Sequence, residues 1–476
     1  MPNVHLLSPP VPADSLADAD ITAAIEQLLS TKKGLVPDLI TVATRQGIVQ
    51  LSGSTDNLLA RQRAEDIVQA VRGVRGLHST LAVRPVVVAE AELQRDVAGA
   101  LADDPATAHY QVYPSVSGGV VTLNGQVQSW AEKQLVLRVV QGVRGVRACL
   151  ADQLTIKNGP ILHSDEEITT QIRELLDWDI RVNGALVDVR TNDHVVHLSG
   201  MVGTPAEKDR LIAIANQTGA ARVDARDLFV AYWALGRAIR REKFTPRTDE
   251  AIASAVRDTL RCNPRVRDTE TLVQVHEGVV TLAGTVSNLR VRLEAEQDAR
   301  HVVGVQQVHN LLKVRPARLV PDEDIRQTIT AALARDPYVG QLPFGVQVHE
   351  GQVLLSGQAP SLLEQERAGD LAASVSGVLD VNNRIQTDLP APETTTAPDS
   401  DHALAERIRT RFLWSAALHD QGIDVQVHNR RATLTGTVDS WLDRQQAAQE
   451  AHEAGAREVN NHLHLLHMAL PAAAAQ

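Results

Sequence analysis

Apolar and polar residues alternate in short bursts along this chain. Each pair of bursts is followed by a longer stretch in which apolar residues recur every three or four positions. Residues 273–310 (VQVHEGVVTLAGTVSNLRVRLEAEQDARHVVGVQQVHN) show the pattern whole. Val273 and Val275, then Val280 and Leu282, keep the two-residue period of a β-strand. Gly278 interrupts the alternation where a hairpin tip needs φ > 0. Gly284 closes the second strand, Asn288 is placed to cap a helix, Gly304 ends that helix and Val305 opens a last strand.

The pattern is written six times. The glycines that close the second strand are Gly53, Gly125, Gly200, Gly284, Gly357 and Gly436. An aliphatic residue precedes each at a constant offset: Ile21, Leu93, Ile168, Ile252, Ile325 and Leu404. Just after the glycines stand Asn57, Ser129, Thr204, Asn288, Ser361 and Ser440, all good helix N-caps. Ser129 with Glu132, Thr204 with Glu207 and Ser361 with Glu364 have capping-box spacing. Spacing this regular predicts an α+β chain of six tandem αββαβ modules, each a three-stranded sheet with two helices on one face. Their bounds are 18–85, 89–157, 164–231, 248–316, 321–388 and 400–467. A basic and aromatic connector spans 232–247, and a Pro/Thr-rich linker spans 389–399. Modules of this size bury little surface alone, so neighbours are expected to pack in pairs or along a line. The linker predicts that module six moves against the other five.

Two modules lack the tip glycine. His194 and Arg430 stand in its place, after Asp193 and Asn429, which tolerate left-handed backbone, so both hairpins are expected to survive.

The formal net charge of −11 gives no general attraction to nucleic acid or anionic lipid, and 3% aromatic residues leave little for base stacking. Cys149 and Cys262 lie in different modules and form no disulfide framework. No apolar run is long enough to span a membrane. The first twenty residues lack the basic and apolar segments of a secretory signal, which predicts a cytoplasmic protein.

The G-x-V-x-L-x-G hairpin (Gly278, Val280, Leu282, Gly284; Gly351, Val353, Leu355, Gly357) and the terminal G-V-x-x-V-x-N (Gly304, Val305, Val308, Asn310; Gly377, Val378, Val381, Asn383) resemble the BON domain. These motifs are glycines and aliphatics, specific for fold and silent on chemistry. The resemblance implies a non-enzymatic domain proposed to contact phospholipid membranes, with an osmotically inducible periplasmic protein among its members. It therefore implies the periplasm or cell envelope as the alternative compartment.

Candidate chemistry is sparse. His276, His349 and His428 each end a first strand, and His462, His464 and His467 punctuate the last one; exposed edge positions explain both sets better than a metal does. No nucleophile elbow, zinc motif or phosphate loop occurs, so neither an enzyme nor a cofactor is expected. The one basic cluster lies in the connector: Arg237, Arg240, Arg241, Lys243 and Arg247, with Phe229, Tyr232, Trp233 and Phe244 nearby. Basic plus aromatic composition marks a candidate contact with acidic lipid or a protein partner. The competing reading is a linker whose Tyr232 and Trp233 pack against modules three and four. Expected partners are a phospholipid surface in a stress response, or other proteins if the chain is a scaffold or holdase. Nucleic acid is not expected, and self-association stays open.

Overall fold

A computed structural model describes residues 16–157, 164–267, 269–316, 318–387 and 401–466, apart from the side chain of Arg241. The 389–399 linker and His467 lie outside the described residues.

Module four shows the common plan. Helix Asp249–Cys262 leads into strands Thr271–His276 and Val279–Val286, then helix Leu289–Arg300 and strand Gln307–Val314. The hairpin is antiparallel, with Val273 opposite Leu282 and Val275 opposite Val280. The last strand lies parallel on the other side of the middle one, with Val280 opposite Val308. A parallel return needs a crossover, and the second helix supplies it. Every second strand residue faces the helices. Val273, Val280, Leu282 and Leu312 are buried against Ile252, Val256, Ala295 and Ala299. The same three-strand path, second hairpin strand in the middle, recurs in six separate sheets.

The closing glycines adopt φ between 111° and 137°. A Cβ there would lie 1.9–2.5 Å from a carbonyl oxygen of the chain entering the first strand in five modules; Gly357 instead meets Phe344 and the Pro343 carbonyl. The repeated glycine therefore answers a close backbone approach as well as a turn. At the other end of the hairpin, the acid that opens the first helix accepts hydrogen bonds from the tip. Asp249 takes the N–H groups of Glu277 (2.8 Å) and Gly278 (3.0 Å). Asp18, Asp165, Asp322 and Asp401 do the same, and Glu90 takes one from Gly118. Asp193, His194, Asn429 and Arg430 all hold positive φ, so both hairpins without the tip glycine keep the turn.

All six second helices carry the expected N-cap bond. The capping boxes differ from expectation. Glu132 and Glu207 reach one residue further back, to the N–H of Gln128 and Gly203, and Glu364 meets the Ser361 hydroxyl. The complete box is Ser164 with Glu167, on the first helix of module three.

The modules pair, but mostly not with their neighbours. Each pair is joined where the last residue of a first helix offers its carbonyl to the N–H that precedes a helix-ending glycine. The bonds are Arg72 N–H to Trp414 (2.9 Å), Arg144 N–H to Arg335 (2.6 Å) and Val303 N–H to Trp178 (2.9 Å). They join modules one and six, two and five, and four and three. The first and third pairs return a second bond, Ala416 N–H to Ala70 and Ile180 N–H to His301, both 3.0 Å. In the other pair the equivalent residue is Pro337, which has no N–H to give. Helix ends leave carbonyls without partners, and here two modules satisfy each other's.

Single ion pairs and hydrogen bonds link the pairs together. Arg265 meets Asp104 (2.6 Å), Arg290 meets Asp370 (3.6 Å), and the Tyr338 hydroxyl donates to Gly34 (3.2 Å). The Arg300 guanidinium lies 4.4 Å over the Trp441 ring. Module four thus touches modules two, three, five and six. The most extensive contacts between modules run helix to helix, and no sheet pairs with another among the described residues. Module six is docked, contrary to the expectation that it moves alone: Lys32 of module one reaches Glu450 (3.1 Å) and Glu453 (2.6 Å).

Candidate functional site

The connector folds as three short turns, Tyr232–Leu235, Arg237–Arg240 and Arg241–Phe244. Arg237, Arg240 and Lys243 turn toward the modules. Lys243 is 8% exposed. Its ammonium donates to the carbonyls of Leu176 (2.9 Å), Asp179 and Val182. Leu176 lies in the last turn of the first helix of module three and Asp179 caps it, so the cation meets both orphan acceptors and the negative helix end. Burial pulls the Lys243 pKa down to about 8. Arg240 pairs with Glu207, and Arg237 bonds Asp420 (3.1 Å, through its N–H) and Asp439 (3.4 Å) of module six. Tyr232 lies under Arg72 of module one, 5.9 Å away, while its turn rests on the middle strand of module three. Phe244 is half-buried, whereas Trp233 and Phe229 are 36% and 59% exposed. Arg237, Arg240 and Lys243 are thus engaged within the molecule, and the connector fastens module three to modules six and one. Lys243→Met leaves three carbonyls without their donor, and we expect a loss of about 2 kcal/mol in denaturant unfolding.

A polar cavity of about 460 Å³ lies where modules two, three and four meet. Sequence reading anticipated docking surfaces and no such convergence. Asp179 sits between Arg181 (2.8 Å) and Arg210 (2.7 Å). Burial alone would raise its pKa; the two arginines more than reverse this and hold it well below the carboxylate range. Asp298 accepts from the Asn263 amide (2.7 Å), and burial still pushes it up to about 7, with Glu294 adding to the rise. His301 is driven down to about 4 by burial and then by Arg181. Burial raises the Cys262 thiol, which keeps it from the thiolate form a nucleophile needs. Among the described residues no group of three His, Cys, Asp or Glu is placed to hold a metal. The strand histidines His276, His349, His428, His462 and His464 are exposed.

Asp298 and His301 oppose each other in pH dependence. A carboxyl whose folded pKa is raised loses stability as pH climbs from 3.8 toward about 7. An imidazole whose folded pKa is lowered gains stability as pH climbs from about 4 to 6.5. Each slope is about 1.4 kcal/mol per pH unit at most, so the two nearly offset between pH 4 and 6.5. Asp298→Asn removes the first slope. Its stability should climb across that window and exceed the parent's at pH 8 by about 2 kcal/mol, read from urea midpoints at three pH values.

A family model described as the BON domain matches residues 17–85, 89–158, 164–226, 248–316, 321–388 and 400–466. The osmotically-inducible protein Y of Escherichia coli (strain K12) is 32% identical over 145 residues, which are 29% of this chain and 72% of that protein. Two solved structures of CdsD, a structural protein of the type III secretion system of Chlamydia trachomatis, also match. The C-terminal domain is 17% identical and covers 47% of this chain and 100% of its own, with a TM-score of 0.12. The other is 16% identical, covers 44% of this chain and 90% of its own, and has a TM-score of 0.11. Scores that low carry nothing about this chain's fold.

Proposed function

The chain belongs to the BON domain family, and from that premise we propose a non-enzymatic osmotic-stress protein that binds other proteins through its outward-facing sheets. The observation that carries this reading is the direction in which the modules face. Helices, with Arg237, Arg240 and Lys243 of the connector, are engaged between elements of the molecule, while each sheet keeps two edges unpaired with any other module among the described residues. Unpaired edges offer backbone donors and acceptors to an extended segment, the chemistry of strand addition. Module four adds apolar surface, with Leu272 and Leu311 exposed in register either side of Ala283. Resemblance to an osmotically inducible protein supports the stress setting.

Light scattering of a chemically unfolded client, with and without the full chain, tests the reading. Suppression of aggregation at near-stoichiometric ratio is expected; an unchanged trace rejects it. A second reading, contact with phospholipid, is favoured by exposed Phe229 and Trp233 beside the connector. Because Arg237, Arg240 and Lys243 are engaged and the net charge is −11, we expect no co-sedimentation with anionic vesicles at low salt. Pelleting that is lost in Trp233→Ala would reverse the order of the two readings. No helix among the described residues is long and apolar enough to cross a membrane. The setting proposed is the cell envelope, and fractionation of cells making the protein separates it from the cytoplasm.

A further inference from the structure

We propose that the junction of modules two, four and five binds a compact soluble oxyanion, with Arg138 at its centre and Arg265 and Arg290 on its flanks. These three arginines line both the 460 Å³ cavity and an adjoining one of about 160 Å³, so they form the wall that the two spaces share. Two of the three have acid partners: Arg265 holds Asp104 at 2.6 Å and Arg290 holds Glu294 at 2.7 Å. The side chain of Arg138 makes no hydrogen bond or ion pair among the described residues.

Glu294 acts on Arg138 only at longer range, and the lack of a hydrogen-bonded acid sets Arg138 apart among the arginines lining the two spaces. The neighbouring inward cations are matched: Arg335 to Asp103, Arg367 to Asp336, Arg267 to Glu132, and Arg181 and Arg210 to Asp179. In a chain with eleven more acids than bases, a cation left over at a junction of three modules has not run short of carboxylates. Arg138 is solvent-exposed on this wall; desolvation lowers its pKa, Glu294 raises it, and Arg265 and Arg290 lower it further. An oxyanion there would receive two parallel N–H bonds from the planar guanidinium and relieve repulsion among three like charges. The cavity has the size of a small-molecule site. Glu294 and Asp298 on the same wall limit the ligand to a compact anion that sits against the arginines. A lipid headgroup shares the oxyanion chemistry, but its acyl chains would have to lie against polar walls between helices.

Isothermal titration of the full chain with sodium sulfate tests the site, with sodium chloride holding ionic strength constant. Sulfate keeps its charge across the working pH range, so the ligand does not titrate. One saturable site is expected. Arg138→Gln should weaken it at least tenfold and Arg138→Lys by less, because the charge stays while the fork is lost. Arg226→Gln, on an exposed residue paired with Asp224, should leave it unchanged. Circular dichroism of each variant confirms that it is folded. Absence of saturable heat, or equal affinity in folded Arg138→Gln, overturns the proposal. Displacement of sulfate by phosphatidylglycerol vesicles would also overturn it, by moving the anion to a lipid surface. The test is independent of client binding by the outer sheets.

Discussion

Gly436→Ala is expected to cost about 4 kcal/mol, enough to unfold the sixth module in mild denaturant. Gly436 holds φ at 118°, which an L side chain rarely adopts. A Cβ built on it would lie 1.9 Å from the carbonyl oxygen of Gly422, a backbone atom that cannot swing aside. Relief means separating the first strand from the second where Ile423 faces Gly436. That pulls Val425 and Leu434 apart in the module's own core. Gly219 is the internal control: its φ is 87°, but nothing lies within 4 Å of a built Cβ. Gly219→Ala should therefore cost only about 1 kcal/mol, the conformational part alone. Urea unfolding followed by hydrogen exchange separates the two. Gly436→Ala should lose protection across Gly422–His428 and Arg431–Val438 first. Equal, small losses for both variants would show that the close approach is soft.

The same glycines explain how much of the fold is legible in the sequence. Elements set by neighbours within one module repeat with it, so six copies of one spacing reveal strands, turns and N-caps together. The acid that clamps each hairpin tip also repeats, three residues before Ile21, Leu93, Ile168, Ile252, Ile325 and Leu404. It was readable but reads equally as an ordinary acidic helix start, because its acceptor role depends on a turn 28 residues on. The pairing of modules leaves no periodic trace. Lys32 and Glu450 are 418 residues apart and occur once. The connector misleads for a related reason: its composition is that of an interfacial segment, and the carboxylates that engage it, Glu207 and Asp439, sit on modules three and six. The polar cavity escaped notice because no module contains it. Asp179, Asp298 and Arg138 belong to three copies, and each alone looks like a solvated helix residue.

Arg411→Ala should release module six from module one and lower stability by about 3–5 kcal/mol. Arg411 is 6% exposed. Its guanidinium holds Glu450 and Glu453, each at 2.7 Å, and reaches across to the Thr31 hydroxyl at 2.9 Å. Lys32 contacts the same two glutamates from the other module. Truncating Arg411 leaves a buried and a half-buried carboxylate, Glu450 and Glu453, sharing one lysine, and an uncompensated buried charge costs more than the pair contributes. What then remains between the modules is Lys32 with its two glutamates, the pair of backbone bonds at Val71–Ser415 and the Trp414 ring on the first module's core. Lys32→Ala should cost less, because Lys32 is the more exposed cation and Arg411 still faces both acids. Acid should mimic the loss. Burial would raise the Glu453 pKa, but Lys32 and Arg411 bring it below the ordinary glutamate value. Its contribution is therefore full above pH 4.5 and disappears as pH falls through the folded pKa. Small-angle scattering reads the release directly: the radius of gyration of Arg411→Ala should grow at neutral pH, and that of the parent only on acidification. A variant that loses stability without expanding would place the role of Arg411 inside module six, leaving Lys32 and the two backbone bonds to hold the first and last modules together.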